Sequence, residues 1–345
     1  MTWAEVLTEL MARRDLSGEA AAWAMDQILA GEATEAQIAG FAVALRAKGE
    51  SVAELTGLSQ SMLDHATPIS LPGEAVDVVG SGGDRAMTVN VSTMAAIVAA
   101  AMGVPVVKHG NRAASSACGT ADCLEALGVA LDVPPTAQPA VLAKTGIVFM
   151  FAAMYHPALR YVAAARRELG VQTTFNFLGP LANPARPHAS AIGVADARMA
   201  PLVAGVLAGR GHRGLVFHGD DGLDELTTTT ASRVWLIADG QVSETIFDPA
   251  DLGIARAVPS DLVGGAPAHN AQVVRELLAG KTGPVRDIVM LNASAAALAF
   301  AGPKPDVAVA EQLAPHFARA AEVIDTGAAA SLLDAWVAAT QAARG

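Results

Sequence analysis

Cysteine is almost missing from this chain. The two present, Cys118 and Cys123, have a spacing that fits no zinc motif and no Cys-x-x-Cys redox pair, and a reducing cytoplasm is the simplest setting for them. Basic residues are a minority, 23 against 34 acidic, for a net charge of −11. With no basic run to follow a phosphate backbone, nucleic acid is excluded as a partner. A site for a polyanionic substrate must therefore be made positive locally, by a few Lys and Arg side chains, by backbone N–H groups and by a bound cation. The N-terminus, Met1-Thr-Trp-Ala-Glu5, lacks the charged lead and apolar core of a secretory signal. The longest apolar run, Met94 to Val107, contains Gly103 and Pro105 and falls short of the ~20 residues a membrane helix needs, so it reads as a buried helix running into a strand. No membrane association is expected.

At 345 residues the chain is long enough for two domains, and alanine contributes much of its 52% hydrophobic content, which predicts helices packed closely through small side chains. Apolar residues at Trp3, Val6, Leu7, Leu10 and Met11 fall on one helical face. Capping boxes at Thr34 with Gln37 and Ser51 with Glu54 open further helices, Ser17 is an N-cap with an incomplete box, and Gly31 and Gly49 stand where helices should stop. Residues 1–70 thus read as an all-helical unit, closed by the linker Thr67-Pro68 and Pro72-Gly73. Strand and helix then alternate over 74–345, which predicts an α/β domain with a central, mostly parallel sheet. Strands are expected at Ala75–Val79, Val104–Val107, Gly146–Met150 and Gly214–Phe217, helices at Pro157–Leu169 and from Ser331, and a hairpin around Asp239-Gly240.

The most informative stretch is Asp77 to Thr93, a strand that breaks at Gly80, Gly82 and Gly83 and resumes as a helix near Ser92. Glycines let backbone N–H groups approach an anion, and the helix N-terminus behind them adds a favourable dipole. A phosphate suits such a loop. It is neither a P-loop, lacking the Lys-Ser/Thr ending, nor the dinucleotide fingerprint. A second polar stretch, Lys108-His-Gly-Asn-Arg-Ala-Ala-Ser-Ser116, is expected as the loop after the second strand, at the end where open α/β sheets bind ligands.

Taken with Arg166-Arg-Glu-Leu-Gly170, Phe175-Asn-Phe-Leu-Gly-Pro-Leu-Ala-Asn-Pro184 and His218-Gly-Asp-Asp-Gly-Leu-Asp-Glu225, these motifs resemble the anthranilate phosphoribosyltransferase family along essentially the whole chain. The resemblance implies transfer of a 5-phosphoribosyl group from phosphoribosyl pyrophosphate to the amine of anthranilate, with Mg2+ as cofactor. It implies a homodimer formed through the helical domain, a segment near 170–184 returning to that domain, hinge closure over the substrates, and no second activity ahead of Trp3. Carried over residue by residue, the phosphoribosyl pyrophosphate site comprises Gly80, Gly83, Asp84, Thr88, Asn90, Val91, Ser92, Thr93, Lys108, Ser116 and Thr120. Lys108, Asp224 and Glu225 are the implied catalytic residues, with Ser92, Asp224 and Glu225 the implied magnesium partners. Gly80, His109, Asn111 and Arg166 are implied around anthranilate.

The residue types suit that chemistry. A departing diphosphate needs cations and backbone amides, magnesium prefers oxygen ligands, and a carboxylate is best held by a planar guanidinium. By residues alone, Asp224-Glu225 could equally be a solvated acidic turn beside Asp220-Asp221. Spacing does not choose between Arg166 and Arg167, which point about 100° apart on a helix. His109 is either a proton acceptor or a hydrogen-bonded loop residue. Two positions depart from the family pattern Ser-Ser-Lys-Ser-Gly-Ser: Ala117 replaces a lysine and Cys118 a hydroxyl, which predicts weaker phosphoribosyl pyrophosphate binding with intact chemistry. A pyrimidine nucleoside phosphorylase is the nearest enzymatic alternative, and a non-catalytic homologue the alternative from another class.

Overall fold

The structure is a computed structural model that describes residues 1–113 and 116–344. Four helices open the chain: α1 (Trp3–Met11), α2 (Gly18–Leu29), α3 (Glu35–Lys48) and α4 (Val52–Asp64). Ser17 caps α2, and complete capping boxes start α3 and α4 as the sequence predicts; a third box, Thr2 with Glu5, starts α1. Glu54 does more than cap, since its buried carboxylate also takes the Leu16 N–H at 2.9 Å and the Lys48 ammonium at 2.9 Å. That fastens α4 to α3 and to the loop between α1 and α2.

The rest of the chain alternates: β1 (Val76–Gly80), α5 (Val91–Ala101), β2 (Val106–Gly110), α6 (Thr120–Leu127), α7 (Gln138–Thr145), β3 (Ile147–Phe151), α8 (Ala152–Tyr155), α9 (Arg160–Leu169), β4 (Ala189–Gly193), α10 (Ala200–Gly209), β5 (Arg213–Gly219), β6 (Ser232–Ala238) and β7 (Gln241–Phe247). Four helices finish it: α11 (Pro267–Leu278), α12 (Pro284–Ala301), α13 (Val309–Asp325) and α14 (Ala328–Ala343). The strands form a seven-stranded sheet in the order β3-β2-β1-β4-β5-β6-β7, parallel from β3 to β5 with β6 and β7 antiparallel at the edge. The protein is therefore a helical N-terminal domain joined to a larger α/β domain with a mostly parallel sheet.

Alternate side chains along the strands feed two cores. Val78, Ala191, Leu215 and Val234 join α5, α12, α13 and α14 on one face, while Ile192, Val216 and Trp235 join α10 and the helical unit on the other. The α12 helix is apolar and long enough to cross a membrane, yet 72% of it is buried against these partners. Phe175, Phe177 and Leu178 enter the helical core, and Thr174 Oγ1 donates to Glu50 at 2.7 Å, so the segment after α9 lies against the first four helices.

Two strand assignments change. The second strand was expected over Val104–Val107, with Lys108 and His109 in the loop beyond it. In the fold, β2 runs to Gly110, and Lys108 and His109 pair with Phe149 and Met150 of β3. A lysine in a buried strand breaks the apolar pattern but is satisfied by partners from other elements. The short β4 has no bulky β-former apart from Ile192 to announce it, and yet it lies between β1 and β5. Its small side chains are required, because a Cβ on Gly193 would overlap the Asp224 carbonyl.

Candidate functional site

At the carboxyl ends of β1 and β2 a cleft of about 340 Å³ separates the sheet from α4, α9 and the Phe175–Pro180 segment. On one side is the glycine loop. Gly82 and Gly83 take the left-handed φ values of 70° and 86°, as do Arg85 and Met87 at 61° and 54°. The loop is held by its neighbours: Ser81 N–H donates to Gly193 O at 2.9 Å, and Gln172 Nε2 donates to Gly83 O at 2.9 Å. Thr88 bridges to Val263, and Asn90 is fixed between Cys118 O and Asn270. Asn90 makes no side-chain cap to α5, so the first turn of that helix, Val91 and Ser92, presents its N-terminus to the cleft.

Asp224 and Glu225 are buried and line this cleft, so they are not a solvated turn. Asp224 Oδ2 accepts the Gly82 N–H at 2.6 Å, and the Ser92 N–H at the start of α5 turns a favourable dipole to the Glu225 carboxylate. One acid thus holds the loop and the other faces the helix start. Burial, with the charge of Asp84, pushes the Asp224 carboxyl up to about 7; burial and Asp224 raise Glu225 well above its ordinary value. Asp224 and Glu225, crowded beside Asp84 and with raised affinity for a proton, also favour a divalent cation. They fit magnesium, which takes one or two carboxylates and completes its shell with water and substrate phosphate oxygens. Among the described residues no three His, Cys, Asp or Glu side chains form a ready-made protein cage, consistent with that partial, substrate-completed mode.

A stability consequence follows from the raised Asp224. The native chain retains a proton there up to about pH 7 that the unfolded chain releases near pH ~4, so stability without magnesium falls as pH rises through that window. Asp224→Asn is expected to flatten part of the fall and to raise the urea midpoint at pH 8 above the parent's. Asp77, pushed up to about 6 by burial, supplies a residual slope in both proteins. Equal midpoints for variant and parent at pH 8 would contradict the placement.

Lys108 and Thr93 lie one layer behind the wall. The Lys108 ammonium, 1% exposed, donates to Val78 O and to Ser92 Oγ at 3.2 Å. Burial brings its pKa down to about 8, against the opposing pull of Asp77, Glu225 and Asp224. Thr93 Oγ1 meets Thr120 Oγ1 at 3.4 Å. Gly80, Gly83, Asp84, Ser116 and Thr120 do line the cleft; Ser115, part of the same loop, lies outside the described residues. Ala117 is exposed on that loop, and Cys118 is buried at its base.

The same cleft is lined by His109, Asn111, Arg166, Phe175 and Pro180. His109 Nδ1 lies 3.1 Å from Gly179 O, an acceptor, so Nδ1 carries the proton and Nε2 presents a lone pair; Nε2 has no partner. Burial, then the nearby His156, lowers His109 to about 3, so it is neutral at working pH. Arg166, in the last turn of α9, lines the cleft, and burial lowers its pKa; Arg167 is exposed outside it. Gln172 and Gly193 were not singled out in the sequence, having no chemical signature there, and Asn176 and Gly179 stood in a quoted family motif without a role of their own.

Two family models cover the chain: a glycosyl transferase family, helical bundle domain, over residues 4–66, and a glycosyl transferase family, a/b domain, over residues 72–330. With a phosphate-type loop facing paired acids, fold and site define a glycosyl transferase built of these two parts. An anthranilate phosphoribosyltransferase from Acidothermus cellulolyticus is 62% identical over 100% of this chain and 97% of its own, and one from Nocardioides sp. 61% identical over 98% and 99%. Among solved structures, anthranilate phosphoribosyltransferase from Thermus thermophilus superposes with a TM-score of 0.90 at 40% identity, covering 97% of this chain and 99% of that one. The Saccharomyces cerevisiae enzyme in complex with PRPP and Mg does so with a TM-score of 0.88 at 25% identity, covering 99% and 98%. The chain belongs to the anthranilate phosphoribosyltransferase family.

Proposed function

We propose that the protein transfers the 5-phosphoribosyl group of phosphoribosyl pyrophosphate to the amine of anthranilate, giving N-(5-phosphoribosyl)anthranilate and pyrophosphate, the second step of tryptophan biosynthesis from chorismate. The observation that carries this reading is the shared cleft, lined together by the glycine loop, the α5 N-terminus, the Asp84, Asp224 and Glu225 carboxylates, Arg166 and His109. A phosphorylase has no pyrophosphate-bound magnesium to hold, which sets the acid cluster against that alternative.

In this reading the donor lies along Gly80–Gly83 and the first turn of α5, whose N–H groups face its phosphates, with Thr88, Asn90, Ser116 and Thr120 around it. Lys108 acts through Ser92 and through its charge on Glu225. Asp224 and Glu225 would hold Mg2+, which would supply positive charge to stabilise the leaving diphosphate. The anthranilate amine forms its bond to the sugar C1 as the C1–O bond breaks, the electron pair leaves on diphosphate, and the surplus amine proton passes to solvent. With a pKa of about 3, His109 is a poor base; Nε2 instead accepts an N–H of the amine and aims its lone pair. Arg166 binds the acceptor carboxylate. Positioning and leaving-group stabilisation dominate, and closure of the helical part, 1–70 with 170–184, onto 74–345 keeps water from the oxocarbenium-like centre.

Anthranilate fluorescence in a mixture of protein, magnesium and phosphoribosyl pyrophosphate tests the activity; a signal that does not decay refutes it. Where the family pattern has lysine, Ala117→Lys is expected to lower the apparent KM for phosphoribosyl pyrophosphate several-fold, about the value of one exposed charge contact. No change in KM would refute the assigned loop. The proposal extends to a homodimer through the helical part, where Met11 and Val43 are 72% and 45% exposed, and to a cytoplasmic setting suited to two free thiols. Sedimentation equilibrium decides the first and cell fractionation the second.

A further inference from the structure

A second cavity, of about 310 Å³, lies behind the Gly179–Leu181 turn, with Pro180 forming part of the wall of both it and the main cleft. Helix α4 contributes Gln60 and Leu63, the start of β4 contributes His188 and Ser190, and Arg210 and His212 come from the end of α10 and just beyond. The Arg210 guanidinium donates to Leu181 O at 2.7 Å and to Ser59 Oγ at 2.7 Å, but its buried Nε has no partner. Nor does His212 Nδ1, on a ring packed edge-on against His188 at 5.7 Å. Arg186, held with φ of 49°, adds a second guanidinium, which reaches Leu63 O and Asp64 at 3.2 Å each.

Acid is in short supply on this wall. Of the described lining residues only Asp77 is a carboxylate, and its two oxygens are taken by Asn183 at 2.8 Å and the His109 N–H at 3.1 Å. Burial and the charge of Arg186 lower Arg210 to about 10, with no carboxylate opposing. Placing the desolvated Arg210 guanidinium beside the charge of the half-exposed Arg186, whose own carboxylate partner Asp64 lies on the outer side, is unfavourable unless an anion joins them. The remaining wall, Leu63, Leu181, Pro187 and Leu207, is apolar, and the volume falls at the lower end for small-molecule sites. This combination calls for an oxyanion on an apolar body.

We propose that this cavity binds a small organic anion, a carboxylate or phosphate monoester with an apolar body, held by Arg186 and Arg210 between α4 and the Gly179–Leu181 turn. The bound anion sits one turn behind His109, whose Nδ1 is held by Gly179 O. Binding there is independent of the reaction assigned to the main cleft.

The test uses the full chain with ¹³C-labelled histidine rings, the eight signals assigned by single His→Gln substitutions. It is titrated with 3-phenylpropionate and, separately, with phenyl phosphate, so that the tighter of the two identifies the headgroup. The expected result is a saturable shift of the His188 and His212 signals, weakened about tenfold or more by Arg186→Ala. That side chain is 54% exposed, so its loss leaves the core intact; Arg210→Lys, which keeps the charge but loses the fork, is expected to weaken binding too. No saturable shift at His188 and His212, shifts confined to His109 in the main cleft and its ring neighbour His156, or unchanged affinity in both variants would each overturn the proposal.

Discussion

Asp224→Ala and Glu225→Ala are each expected to reduce turnover about a hundredfold or more and to weaken its dependence on magnesium. Each carboxylate has two tasks. Asp224 anchors Gly82 N–H at 2.6 Å and Glu225 balances the charge of Lys108 beside the start of α5, so truncation disturbs the loop and helix start that line the cleft as well as removing negative charge from it. Asp224→Asn separates the tasks, since an amide oxygen can keep the Gly82 bond but carries no charge. It is expected to bind phosphoribosyl pyrophosphate nearly as well as the parent in the absence of metal and to fail in turnover when magnesium is supplied. An unchanged magnesium profile in both alanine variants would remove these acids from the mechanism.

In the same cleft, Arg166→Ala is expected to raise the KM for anthranilate about 10- to 100-fold, the loss of a charge-assisted, two-pronged contact, while kcat at saturating acceptor changes far less. Arg166 can serve because it is half-buried on the cleft with no carboxylate paired to it among the described residues, and burial already depresses its pKa. Arg167 faces solvent, and Arg167→Ala is expected to leave both constants unchanged. Aniline, which lacks the carboxylate, provides the control: parent and Arg166→Ala should use it equally poorly. A normal KM for anthranilate in Arg166→Ala would move the acceptor elsewhere in the cleft.

Local signals carried much of the architecture. The Ser17, Thr34 and Ser51 caps, with Gly31 and Gly49 as stops, follow from side-chain and backbone chemistry within one helical turn, and all three caps stand in the structure. The glycine loop was equally legible, because left-handed φ at Gly82 and Gly83 is a property few other residues tolerate. Strand β4 was not, since its small residues have no intrinsic preference for extended structure and are chosen for what packs on them.

By itself, then, the sequence determined the helical caps, the phosphate-type loop and the set of residue types the family's chemistry requires. The tertiary structure decided which of these residues line the cleft. It chose Arg166 over Arg167 by helical phase, made Asp224 and Glu225 partners of the glycine loop rather than a surface turn, and set Lys108 and Thr93 behind the wall. It also left His109 neutral, with a free lone pair. The physical reason is that caps and turns are fixed by neighbours in the chain, whereas burial, protonation state and orientation depend on groups 100 and more positions away, as Gly82 and Asp224 show.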